Sequence, residues 1–114
     1  MQAIDYPIAT IRYECEDMYG FLSTLRAGVF SEERYRNLLQ ALQTYRAAIH
    51  NNDMIDRIVA MDLYYLDIEF SGALQYFVTQ SNYYHIVDAQ LECSELIIAI
   101  LTPEWLLVEE HNKQ

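Results

Sequence analysis

Glycine, proline, cysteine and lysine are all scarce in this sequence of 114 residues. There are three glycines, two prolines and two cysteines, and the single lysine is Lys113. So little glycine and proline argues against disorder and against a turn-rich all-β fold. Because a chain of this length has room for one hydrophobic core, we expect a single helical domain over residues 1–114.

The spaced motifs of common catalytic, phosphate-binding and zinc sites are also missing. The sequence has no CxxC, HExxH, GxSxG or glycine-rich phosphate loop. His85, Asp88, Glu92 and Glu95 follow one another at three- and four-residue spacing, but a solvated helix face explains this pattern better than a metal site. We therefore expect no enzyme activity, no metal and no cofactor.

No apolar run is long enough to cross a membrane. The longest, LIIAIL at 96–101, is far below the roughly 20 residues that a spanning helix needs. The first residues do not combine a basic segment with an apolar one, as a secretory signal would. Cys15 and Cys93 fall on predicted apolar helix faces, which indicates reduced core thiols, although a disulfide stays open. We expect a cytoplasmic protein with no membrane contact.

Charge is strongly one-sided. Seventeen acidic residues oppose seven basic ones, giving a formal net charge of -10. Such a field repels nucleic acid phosphates and attracts basic protein surfaces. Direct nucleic acid binding is therefore disfavoured, and a basic protein partner, for example a nucleic-acid-binding enzyme, is favoured.

Apolar residues spaced three and four apart predict the first two helices. The first is predicted to run unbroken from about Pro7 to Gly28, and the second from a cap at Ser31 to the polar cluster HNND at 50–53. The stripe of the first helix comprises Ile4, Ile8, Ile11, Cys15, Met18, Leu22 and Leu25.

The third segment, about 54–80, is predicted to be a helix capped by Asp53, with Ile58, Tyr65 and Tyr76 on its core side. Alternation around Ser71-Gly72 keeps an α+β alternative open, with a hairpin near 64–79. A fourth helix is expected over 83–101 and a short fifth after Thr102-Pro103. The fold predicted overall is an all-α, up-and-down four-helix bundle with a short C-terminal fifth helix.

Two acids, Asp62 and Glu69, fall within the apolar third segment. If helices two and three form an antiparallel hairpin, Arg46 reaches Asp62, and Arg26 at the end of helix one lies level with Glu69. We interpret these as structural ion pairs. The alternative is a small enzyme or ligand-binding bundle in which one carboxyl group acts as an acid or base.

Tyrosine is abundant and often falls outside the apolar stripes, as it does in protein interfaces. The densest combination of acid and tyrosine is YECEDMY at 13–19. The partner-binding residues predicted from this pattern are Tyr13, Glu14, Glu16, Asp17, Tyr19 and Trp105.

A small acidic chain without catalytic motifs is typical of proteins that cover the working surface of a basic enzyme. We expect a protein-binding module of the inhibitor or immunity type, such as an antitoxin or a phage-encoded, anti-CRISPR-like inhibitor. A local nucleic acid mimic around 14–17 is a narrower version of this hypothesis. A homodimeric structural subunit, joined through the helix at 83–101 and Trp105, is the remaining alternative.

Overall fold

The computed structural model describes residues 5–103 and Leu106, and these residues form an all-α bundle. The helices are α1 (Asp5–Glu16), α2 (Phe21–Arg26), α3 (Glu32–Ala48), α4 (Arg57–Ala73) and α5 (Tyr83–Leu101), with a 3-10 turn at Leu74–Phe77. The predicted all-α fold with four long helices is confirmed. The hairpin alternative is wrong, because residues 64–77 are helical.

The four long helices form a ring of neighbours in the order α1, α3, α5, α4. Consequently α3 and α4, although consecutive in the chain, lie at opposite corners of the bundle. The short α2 packs against α1, α3 and α4. Fully buried side chains such as Ile11, Leu42, Leu66 and Phe77 fill the centre, where each stabilises the fold by about 1.5–3 kcal/mol.

The first predicted helix is broken into α1 and α2 at residues 17–20. The Tyr19 N–H donates to Asp17 Oδ1 over 2.9 Å, and a Cβ on Gly20 would lie 2.3 Å from the Tyr13 carbonyl oxygen. Only glycine therefore fits where α2 begins beside the end of α1. Met18, predicted for the core, is exposed.

Helix ends agree with the sequence at most positions. Gly28 has a left-handed φ of 84° after α2, and the Ser31 hydroxyl accepts from the Arg34 N–H over 3.2 Å at the start of α3. The predicted Asp53 cap is wrong, because Asp56 Oδ1 accepts from the N–H groups of Ile58 and Val59. The predicted C-terminal helix falls mostly on residues outside those described.

Both cysteines are buried free thiols. Burial raises the pKa of Cys15 well above its ordinary value and raises the pKa of Cys93 to about 12. Both groups therefore stay protonated at neutral pH, as expected of core thiols.

Candidate protein-binding surfaces

The predicted binding patch at 13–19 does not form one exposed acidic face. Glu14 is only 2% exposed, so its assignment to partner binding is wrong. Its Oε1 accepts from the Phe21 N–H over 2.9 Å, and its Oε2 accepts from Arg34 over 3.3 Å. Glu14 thus joins α1 to the N-terminus of α2 and to α3. Burial raises its pKa, while Arg34 and the Phe21 N–H oppose that rise.

The other members of the patch contact groups of their own chain. Glu16 is exposed and forms an ion pair with Arg12 over 3.0 Å. Asp17 accepts from the Tyr19 N–H, and Tyr13 is half-exposed, with the guanidinium carbon of Arg34 5.1 Å from its ring centroid. Among the residues predicted for partner binding in this patch, Tyr19 has the most exposed side chain. The predicted Trp105 lies outside the described residues.

Asp62 lies in a different environment from the one predicted. Since α3 and α4 are not neighbours, no Arg46–Asp62 ion pair forms between these two described residues, and that prediction is wrong. Asp62 is 4% exposed and faces Glu16 on α1. Burial first, and then the hydrogen bond to Glu16, raise the Asp62 pKa to about 7.

A shared proton explains this contact between two acids. No described group donates to the buried Asp62 Oδ2, and a carboxylate left that way would carry a large desolvation cost. A protonated Asp62 can instead donate to Glu16. Arg12 first, and then Asp62, lower the pKa of Glu16, so the negative charge of the pair resides there.

Glu69 pairs with Arg26 at the end of α2. Both side chains are partly exposed, so this pair lies at the surface rather than in the core. Asp62 and Glu69 therefore contact different helices, α1 and α2.

A polar contact joins α3 to α5. His85 Nε2 lies 2.7 Å from Glu32 Oε2, and this hydrogen bond is the main cause of the lowered pKa of Glu32. The Tyr35 hydroxyl lies 2.7 Å from Glu92 Oε1 and 2.9 Å from the Ala89 carbonyl oxygen. Two polar side chains of α5, His85 and Glu92, thus contact α3.

The outward side of α5 combines exposed apolar and acidic groups in one line. We call this line the α5 strip; Tyr84 in it is 80% exposed, and Leu91 and Ile98 are also exposed. Its members alternate four and three residues apart, the spacing of one helix face. They are Tyr84, Asp88, Leu91, Glu95 and Ile98.

The residues of the α5 strip are recognisable in the sequence, but they belong to two different patterns. Asp88 and Glu95 belong to the polar spacing that predicts a solvated face, whereas Leu91 and Ile98 belong to the many apolar residues of the same predicted helix. In a helix, residues at this spacing lie next to one another on the same face, so Asp88, Leu91, Glu95 and Ile98 form one line. What the sequence did not show is that α3 and α4 cover the other sides of α5 and leave this one open.

The positive charges are largely used within the chain. Among the described residues, four arginines form ion pairs with acids of their own chain, namely Arg12–Glu16, Arg26–Glu69, Arg34–Glu14 and Arg36–Glu32. The acids of the α5 strip are exposed and do not belong to these pairs. They are therefore available to attract a cationic surface.

The part of the chain that the structure describes contains neither a metal-ligand cluster nor a membrane-spanning helix. No three His, Cys, Asp or Glu side chains converge there in an arrangement that could hold a metal ion. No helix there is both long and apolar enough to cross a membrane.

Comparison with protein-family profiles, curated protein sequences and solved structures finds no match to this chain.

Proposed function

We propose that this chain is a protein-binding module, not an enzyme, and that its α5 strip docks onto a basic surface of a partner protein. The observation that carries the proposal is the single line of exposed apolar and acidic side chains on α5. Buried apolar anchors supply most of the affinity at protein interfaces, and charged groups around them supply steering and partner choice.

Binding on this proposal has two stages. The net charge of -10 draws a basic partner toward the chain, and Asp88 and Glu95 orient it. Tyr84, Leu91 and Ile98 then lose their contact with water against the partner. Because the outer charges are exposed, added salt slows association more than it speeds dissociation.

The biological role that fits such a module is inhibition of a basic enzyme by covering its working surface. Inhibitors of the immunity, antitoxin or anti-CRISPR type act in this way, and a nucleic-acid-binding enzyme would supply the basic surface. A local nucleic acid mimic is the narrower version, with Asp88 and Glu95 in place of phosphates. In that version DNA or RNA competes with this chain for the partner.

The test is affinity capture from the source cell, with the retained proteins identified by mass spectrometry. The wild type is compared with the double variant Asp88→Lys/Glu95→Lys and with the single variant Leu91→Ala. A matched control is Glu33→Lys/Asp53→Lys, which reverses two exposed acids that are not on α5.

We expect a basic protein to be retained by the wild type and by the control, but not by the charge-reversed strip. Leu91→Ala should weaken the purified complex by about tenfold or more, the loss typical of an interface anchor. Equal retention by all variants, or retention of acidic proteins only, contradicts the proposal.

A further inference from the structure

A second exposed apolar line lies on α4, and the proposed function does not use it. We call it the α4 seam: Ile58, Met61, Tyr65 and Ile68, whose side chains are each between 43% and 52% exposed. These residues are three, four and three positions apart, which is the spacing of a helix-pairing seam. The sequence alone assigned Ile58 and Tyr65 to the core, and the structure turns both outward.

The α4 seam is uncharged in a strongly acidic chain. The two acids nearest to it along the helix face are Asp62 and Glu69, and neither is directed at solvent alone. Asp62 is buried against Glu16, and Glu69 pairs with Arg26. Another molecule of net charge -10 can therefore approach this face without meeting an unpaired carboxylate.

We infer that the α4 seam is the contact surface of a homodimer, in which α4 packs antiparallel against α4 of a second copy. A basic partner would be attracted to the acidic α5 strip rather than to an uncharged line. A second copy fits the seam because the seam is self-complementary, and the like net charges of -10 oppose the contact mainly at long range, where salt screens them. The dimer leaves both α5 strips open and is independent of the proposed function.

The antiparallel register follows from the seam itself. In antiparallel helix pairs a first-position residue of the heptad faces a fourth-position residue of the other helix. Ile58 then meets Ile68 of the second copy, and Met61 meets Tyr65 of the second copy. All four seam residues are covered, and each contact occurs twice because the surface is self-complementary.

The exposed area indicates a weak dimer. The seam together with the adjacent, exposed Tyr64 presents on the order of 500 Å² per copy, or roughly 1,000 Å² for both, the lower end for specific interfaces. Dimerisation is therefore expected only at tens of micromolar chain or above.

The oligomeric state is measured by analytical ultracentrifugation from about 1 µM to about 1 mM chain, a range centred on that affinity. The wild type should shift toward twice the mass of the chain as concentration rises. Ile68→Glu, which places a charge in the seam, should raise the dissociation constant at least tenfold. Leu91→Glu, the matched change on α5, should leave the dissociation constant of the dimer unchanged. Circular dichroism verifies that each variant is folded.

Complementary charges test the register. Ile58→Lys and Ile68→Glu should each be monomeric alone, and an equal mixture should dimerise again, because the introduced ammonium of one variant would face the introduced carboxylate of the other. The inference is overturned by a wild type that stays monomeric throughout. It is also overturned by a dimer that Leu91→Glu disrupts and Ile68→Glu does not, or by a mixture of folded variants that stays monomeric.

Discussion

Asp62 on α4 lies against Glu16 on α1, so two carboxyl groups meet where a carboxylate and a guanidinium were predicted. Burial and the neighbouring Glu16 raise the Asp62 pKa to about 7. Arg12 holds the negative charge on Glu16 through its ion pair. The contact between α1 and α4 is consequently favourable only while Asp62 carries its proton.

This contact predicts that Asp62→Asn stabilises the fold at alkaline pH. The folded pKa of about 7 exceeds the unfolded value of about 3.9, so the folded chain binds the extra proton between these values. The stability from Asp62 is complete below about pH 4 and is lost as pH rises through about 7. An asparagine amide donates to Glu16 at every pH. At pH 8 the variant should therefore be more stable by about 1–3 kcal/mol.

Urea unfolding at pH 5 and pH 8 measures this difference. The wild type should lose stability between the two values, and Asp62→Asn should lose less. Asp53→Asn, at an exposed position, is the control for removing one negative charge. If Asp62→Asn is less stable than the wild type at pH 8, Asp62 has a cationic partner instead, as the sequence had predicted.

The wrong prediction of Arg46 as the partner of Asp62 shows which information the sequence lacks. Helical periodicity correctly placed Asp62 on the buried face of α4, because that depends only on nearby residues. The identity of the opposing group depends on which helix is adjacent. Consecutive helices were assumed to be neighbours, but α4 packs against α1 and α5 instead.

The outward side of α4 was unpredictable for a related reason. Apolar residues occupy so much of this helix that both Val59, which is buried, and Ile58, which is exposed, fit a core-facing stripe. Periodicity identifies the buried face only when polar residues mark the opposite one. On α3 such residues are present, and Tyr35, Leu38 and Leu42, which follow one another at three- and four-residue spacing, are all buried.

The close approach of Gly20 to α1, at the break between α1 and α2, predicts that Gly20→Ala lowers the free energy of unfolding. The added Cβ would lie 2.3 Å from the Tyr13 carbonyl oxygen and 2.9 Å from that of Glu14. Both are backbone atoms of α1, so they cannot move aside without distorting the helix. We expect a loss of about 2–4 kcal/mol in the free energy of unfolding, measured by urea denaturation.

Gly72→Ala is the matched control, because a Cβ at Gly72 meets no atom within 4 Å. Gly72 lies in α4, where alanine is the better helix former, so this variant should gain up to about 1 kcal/mol. Equal stability of the Gly20→Ala and wild-type chains would show that α2 does not start as close to α1 as described.

The two contacts of the Glu14 carboxyl group predict that Glu14→Gln and Glu14→Ala lower the stability by different amounts. Glu14→Gln keeps an oxygen that can accept from the Phe21 N–H but loses the charge that pairs with Arg34, so it should cost about 1 kcal/mol. Glu14→Ala removes both acceptors and leaves the Phe21 N–H without its side-chain partner, so it should cost about 2–4 kcal/mol. Thermal unfolding distinguishes the two. A surface role for Glu14 would make both changes nearly neutral.

The surface pair Arg26–Glu69 should contribute little, although it connects α2 to α4. Its side chains are partly exposed, and exposed ion pairs contribute roughly 0.2–1 kcal/mol. A double-mutant cycle with Arg26→Gln and Glu69→Gln measures the coupling by urea denaturation. We expect less than about 1 kcal/mol, falling toward zero in 1 M salt, where the screening length is about 3 Å.

The Arg34–Glu14 pair provides the comparison, because its carboxylate is buried. Removing Arg34 leaves the buried carboxyl group of Glu14 without its cation, so Arg34→Gln should cost more stability than Arg26→Gln and should respond less to salt. A coupling of about 2 kcal/mol or more for Arg26–Glu69, unchanged in 1 M salt, would mean that this pair is shielded from solvent. In that case it would help to fix how α2 packs on α4.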